Sequence, residues 1–145
     1  MAVVIDANLT LALFLSLPYT EQAYRLMDHL RERQSVLSAP LLWEYECLKG
    51  FHRAVRLGVL RPQDAVEYMY DLLALEIERV APTVEIHQAA LRWAERLGQS
   101  KAYDAQYVAL AEQLKAELWS ADQRLIQSLK EQGISWAHWI GEEFQ

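Results

Sequence analysis

Carboxylates that fall where one structural element gives way to another are the first hint of chemistry in this chain. Asp6 ends the apolar run Val3-Val4-Ile5, and Asp122 closely follows Leu118-Trp119-Ser120. Asp104 stands at the start of a helical stretch, in Ala102-Tyr103-Asp104-Ala105. Glu46 falls in the first turns of a helix that begins after Pro40. Short β-branched or apolar runs suit strands buried on both faces. Open parallel sheets bind ligands at the carboxyl ends of such strands. Each acid also has a structural reading, since Asp6 can close a turn and Asp104 can cap a helix start.

If the strands are parallel, Asp6 and Asp122 emerge at one edge of the sheet. Converging carboxylates repel, and their burial is costly unless a positive charge joins them. Mg²⁺ and Mn²⁺ meet that need, because they prefer oxygen ligands and keep part of their water. Such a site activates water and holds a phosphodiester for in-line attack. A glycosidase needs only a carboxylate pair, and spacing does not separate the two chemistries. Glu44 competes with Glu46, since side chains two apart on a helix point about 200° from each other. On the helical wheel Glu44 shares the sector of Cys47, Phe51 and Val55, whereas Glu46 sits on its border. The wheel leaves that choice open.

The elements that must position these acids alternate between strand and helix. Asn8 is a candidate N-cap for an apolar helix reaching Leu17, and Thr20 for the helix that follows. Ser35 to Ser38 is a second strand, and the helix after Pro40 runs to about Leu57, where Gly58 stops it. Pro62 opens a further helix, Glu76 to Val80 alternates as a third strand, and Thr83 starts a helix ended by Gly98. A polar link, Gln99-Ser100-Lys101, precedes the helix of Asp104, which spans about Asp104 to Lys115. Leu118 to Ser120 is a fourth strand, Leu125 to Leu129 marks a helix, and Ile134 to Ala137 is a candidate final strand. Alternation of this kind implies a parallel sheet wrapped by helices. One domain over residues 1–145 is expected, with a loose tail from 140 to 145.

Composition narrows the classes. The chain has 145 residues, 52% hydrophobic and 23% charged, which is ordinary for a globular fold and against disorder. A formal net charge of −6 argues against holding nucleic acid by bulk charge alone. It is compatible with a nuclease whose carboxylates are neutralised by cations. A single cysteine, Cys47, rules out an intrachain disulfide and suits a reducing compartment. His29, His52, His87 and His138 have no zinc-ligand spacing with one another or with Cys47. Leu9 to Leu17 is shorter than the ~20 residues of a membrane span, and no Lys or Arg precedes it as a signal peptide would require. A cytoplasmic protein without a membrane partner is the expectation.

Four blocks, taken in order, resemble the PIN-domain family, in particular the small VapC-like ribonuclease toxins, over nearly the whole chain. They are Val3-Val4-Ile5-Asp6-Ala7-Asn8, Pro40-Leu41-Leu42-Trp43-Glu44-Tyr45-Glu46-Cys47, Tyr103-Asp104-Ala105-Gln106-Tyr107-Val108-Ala109-Leu110-Ala111 and Leu118-Trp119-Ser120-Ala121-Asp122-Gln123-Arg124-Leu125. The second block places its acid six positions after the proline, at Glu46, and Gly50 one turn on matches a small residue that lets the helix pack closely. Ser120 stands where threonine is frequent, and Cys47 where valine is frequent.

The resemblance implies a three-layer α/β/α sandwich around a central, mostly parallel five-stranded sheet, with Asp6 on the middle strand. It implies that Asp6, Glu46, Asp104 and Asp122 bind Mg²⁺ or Mn²⁺ and hydrolyse RNA through metal-activated water. Asn8 and Ser120 would support them by hydrogen bonding. The implied partners are RNA, a cognate antitoxin and a second copy of the chain. Two rivals remain: a non-catalytic scaffold on the same fold, and phosphoryl transfer through an aspartyl phosphate on Asp6. The second usually needs another acid two positions on, where this chain has Asn8.

Lys49, His52, Arg53 and Arg56 share one side of their helix, by their spacing of three and four. A solvated face is the common explanation, and contact with phosphates beside the site is the functional one. Arg124, close after Asp122, is a further candidate for phosphate contact. Of five tryptophans, Trp43 is the candidate for stacking on an RNA base; Trp93 and Trp119 fit the core.

Overall fold

The computed structural model describes residues 1–98 and 102–142. Its first strand, β1 (Ala2–Ile5), is wholly buried from Val3 to Ile5. It leads through Asp6 into the short α1 (Ala7–Leu11), then α2 (Thr20–Glu32) and β2 (Val36–Pro40). Next come α3 (Leu42–Arg56), α4 (Pro62–Leu73), β3 (Ile77–Val80), α5 (Val84–Leu97) and α6 (Ala102–Leu114). The described chain closes with β4 (Glu117–Ser120), α7 (Gln123–Glu131) and β5 (Ala137–Trp139). The strand order is β3-β2-β1-β4-β5, and every pairing is parallel. This is the α/β/α sandwich the sequence implies, with β1 in the middle.

The register aligns the strand ends. Ile5 lies opposite Trp119, so Asp6 and Ser120 follow as neighbours at the carboxyl edge of the sheet. A helix that follows a parallel strand starts at that edge, which places the beginnings of α1, α3 and α7 there. Helix α6 runs almost directly into β4, so its C-terminus lies at the amino edge and its first turn, with Asp104, at the carboxyl edge. The order reverses direction beside β1, and open sheets form their ligand crevices at such reversals.

Local sequence signals explain most boundaries. Gly58, Gly98 and Gly133 each follow a helix with a positive φ, of 76°, 68° and 83°. Thr83 caps α5 by accepting from the Ile86 amide at 3.2 Å. Other expectations need correction. The helix after β1 is five residues long and does not reach Leu17, and Asp6, not Asn8, is its N-cap. Thr20 does not cap α2 with its side chain. Its hydroxyl instead accepts from the Leu17 amide and donates to the Leu15 carbonyl, both at 2.9 Å, tying the Pro18 turn together. The last strand lies at Ala137–Trp139, where the β4 register pulls it, and not at 134–137. Within the expected tail, Ile140 is buried and its amide donates to the Ser120 carbonyl at 3.0 Å. The link 99–101 and residues 143–145 lie outside the described residues.

Helix α3 packs closely on α1 at Gly50. A Cβ built at that position would overlap the Leu11 side chain. Gly50→Val is therefore expected to lower stability by about 1–3 kcal/mol through overpacking, read from urea unfolding at constant m-value. Leu11→Ala combined with it should recover part of the loss, and additive losses would show that the two side chains do not meet.

Candidate metal centre

Asp6 has little contact with solvent, at 8% exposure, and its two oxygens have separate partners. Oδ1 accepts from the Leu9 amide at 2.8 Å, the capping bond that starts α1. Oδ2 accepts from the Ser120 hydroxyl. The Ser120 oxygen itself accepts from the Asp122 amide at 2.9 Å, so its single proton is left for Asp6. The capping carboxylate is thus also tied to β4 through Ser120. Burial pushes the Asp6 carboxyl up from its ordinary 3.8 to about 6; Ser120 and the Leu9 amide pull it down, and the nearby Asp104 adds to the rise. Among the described residues no ion pair reaches Asp6.

Glu46 is half-buried on α3 and accepts from the Tyr107 hydroxyl of α6 at 2.6 Å. Burial again raises its carboxyl, Tyr107 lowers it, and Asp104 raises it further. Asp104 therefore acts electrostatically on both Asp6 and Glu46, which brings these three acids into one neighbourhood. Glu44 turns elsewhere, to an ion pair with Arg79 of β3 at 3.0 Å. The pair leaves Glu46 as the acid of α3 nearest the others, a choice the helical wheel left open. Asp122 caps α7 through the Leu125 amide at 3.1 Å, and is linked to Asp6 through Ser120.

The residues expected to support the acids divide. Ser120 is fully buried and holds Asp6 directly. Asn8 is exposed on α1. Lys49, Arg53 and Arg124 are exposed, and Lys49 is close enough to Glu46 to stabilise its charge. Trp43 is a correction: at 0% exposure it is unavailable to a base. Its indole N–H donates to Thr10 Oγ1 at 2.8 Å, and Thr10 donates to the Asp6 carbonyl at 3.0 Å. Arg79 lies over the Trp43 ring, 5.2 Å from its centroid. Thr10 and Tyr107 were not singled out from sequence. The available signal for Tyr107 was its position one turn after Asp104, where residues three apart share a helix face.

The donor set fits a hard divalent cation in chemistry and charge: oxygen ligands, mutual repulsion, and a buried carboxyl raised by desolvation. Among the described residues no three acidic, histidine or cysteine side chains close into a complete cage. Mg²⁺ and Mn²⁺ are commonly held by one or two protein carboxylates together with several waters. Cys47 is buried, and burial beside Glu46 and Asp6 pushes its thiol well above the ordinary range, so it is no nucleophile.

Comparison with known proteins identifies the family. Residues 3–130 match the PIN domain. Ribonuclease VapC3 of Pyrobaculum aerophilum is 30% identical over 129 residues, covering 86% of this chain and 92% of that protein. A toxin-antitoxin complex from Klebsiella pneumoniae superposes with a TM-score of 0.65 at 16% identity, over 97% of this chain and 99% of that one. VapC20 of Mycobacterium tuberculosis, a Sarcin-Ricin loop cleaving toxin, does so with a TM-score of 0.59 at 15% identity, over 82% and 87%. Both structures speak for the fold. With its family match and its VapC relative taken together, the chain belongs to the PIN domain family.

Proposed function

We propose that this protein is a Mg²⁺- or Mn²⁺-dependent endoribonuclease and the toxin of a VapBC-like pair. Asp6, Glu46, Asp104 and Asp122 form its acidic set over a single domain of residues 1–145. The observation that carries this reading is Asp6: a buried carboxylate at the carboxyl edge of the central strand, held by hydrogen-bond donors and facing another acid. The 30% identity to a protein named a ribonuclease supports RNA as substrate. The fold shared with a toxin-antitoxin complex supports an antitoxin partner. A homodimer and a cytoplasmic setting complete the reading. No helix among the described residues is long and apolar enough to cross a membrane.

When bound, the cation would activate water and offset phosphodiester charge. The chain's own residues do the rest. Ser120 and the Leu9 amide fix the Asp6 carboxylate at the edge of the sheet. Tyr107 holds Glu46, and Asp122 is steadied by the first turn of α7. Lys49, Arg53 and Arg124 are free to meet phosphates along a strand of RNA, because they are exposed beside the acids or on the helix that follows them. Asn8, exposed next to Asp6, would bond to the substrate or its water and not to the protein.

Holding Asp6 costs stability. Between its ordinary 3.8 and about 6 the folded chain keeps the proton and the unfolded chain loses it. Stability contributed by this group therefore falls as pH rises through that window, and above it the cost levels at about 3 kcal/mol.

Asp6→Asn tests both sides of the argument. Without metal, the variant should melt above the wild type at pH 7.5, and the gap should shrink at pH 4.5. A gap that ignores pH, or a less stable variant at both values, contradicts the burial cost. Manganese at a hundred times its dissociation constant should stabilise the wild type by about 2.7 kcal/mol and leave Asp6→Asn unmoved. Asp6→Asn and Asp104→Asn should each abolish cleavage of a fluorescent RNA while keeping the native circular-dichroism spectrum. Undiminished cleavage by both would remove the assignment, and manganese uptake without any cleavage would favour the scaffold.

A further inference from the structure

We propose that Tyr107 is a positioning residue that sets Glu46 for the cation through its hydroxyl, without touching the ion. The inference rests on the metal-dependent reading above. Glu46 lies on the border of α3, between the buried ridge of Trp43, Cys47 and Phe51 and the exposed Tyr45 and Lys49. A glutamate there has several rotamers, and α3 itself supplies no hydrogen bond to its carboxylate. Among the described residues its carboxylate accepts from Tyr107 on α6, at 2.6 Å.

The donor is well placed for that duty. Tyr107 is 3% exposed, and α6 packs against β1, β2 and β4, so the phenol ring has no room to swing. Asp104 lies one turn earlier on the same helix, so one rigid element carries one acid and orients another. The bond uses Oε1 of Glu46 and leaves Oε2 for a single contact with the ion or its water. Mg²⁺ and Mn²⁺ have strict octahedral demands and gain from a carboxylate fixed in this way, whereas Ca²⁺ tolerates varied and bidentate geometries. Glu44 offers no substitute, because Arg79 holds it.

The test is calorimetry with Mn²⁺ and with Ca²⁺ on the wild type, Tyr107→Phe, Glu46→Ala and the double variant, alongside melting of the metal-free proteins. Tyr107→Phe should weaken Mn²⁺ binding about tenfold, the usual order for losing the hydrogen-bond partner of a metal ligand. Its loss for Ca²⁺ should be smaller. Adding Tyr107→Phe to Glu46→Ala should change Mn²⁺ affinity no further, since the hydroxyl then has nothing to orient. Wild-type Mn²⁺ affinity in Tyr107→Phe overturns the inference and leaves the metal-dependent reading intact. An equal loss in both backgrounds overturns it too, because the tyrosine would then act as general packing. A wild type that takes up no Mn²⁺ brings down the reading and the inference together.

Discussion

The structure turns on keeping one carboxylate out of water with neutral donors. An isolated buried charge costs far more than a folded domain of this size has to spare, so it must be paired, hydrogen-bonded or protonated. Asp6 is hydrogen-bonded: an amide at the start of α1 takes one oxygen and a serine hydroxyl the other. Neither donor cancels the charge. Burial therefore raises the acid towards neutrality.

Hydroxyl groups recur wherever two acid-bearing elements meet. Ser120 joins the end of β1 to the start of α7 by accepting from the Asp122 amide and donating to Asp6. Thr10 joins α1 to α3 by accepting from the Trp43 indole and donating to the Asp6 carbonyl. Tyr107 joins α6 to α3 through Glu46. A hydroxyl both donates and accepts, so it can pass orientation from one element to the next without adding charge. Each bond adds only about 1 kcal/mol to stability. Their value lies in direction, since loss of any one leaves an acid pointing less surely at the others.

How much of this was legible in the sequence depended on whether the signal was local. Strand ends, helix-stopping glycines and the proline at the start of α4 are read from neighbouring residues, and they fell close to their expected places. Asp6 and Asp122 at the carboxyl edge followed from alternation of strand and helix, whereas Glu46 and Asp104 joined them through the family resemblance. The choice between Asp6 and Asn8 as cap went the wrong way because both are good caps, and only the fold decides where the first helical turn begins. Glu44 and Glu46 could not be separated on the wheel because the deciding partners, Arg79 and Tyr107, are far along the chain. Trp43 suggested a stacking surface because it lies beside the acidic turn of its helix. Its N–H instead has a buried partner 33 residues away, which no local pattern signals. Ile140 looked like tail because the nearby glycine and acids are polar punctuation, but the β4 register carries the chain past it.

Helix α6 shows why the acid cluster can be stiff although its members come from distant segments. Amphipathic helices cover a sheet with one face and show the other to water. Along its middle, α6 does not: Ala105 and the run from Tyr107 to Ala111 are buried on successive faces. Three alanines in that stretch allow β1, β2 and β4 on one side and α5 on another to approach closely. A helix enclosed in this way cannot rotate or slide without opening a cavity on one side and a clash on the other. Asp104 and Tyr107 are thereby fixed relative to the central strand that carries Asp6. The burial that makes α6 hard to recognise as a surface helix is the property that lets it hold an acid and its neighbour's orienting hydroxyl in register with the sheet edge.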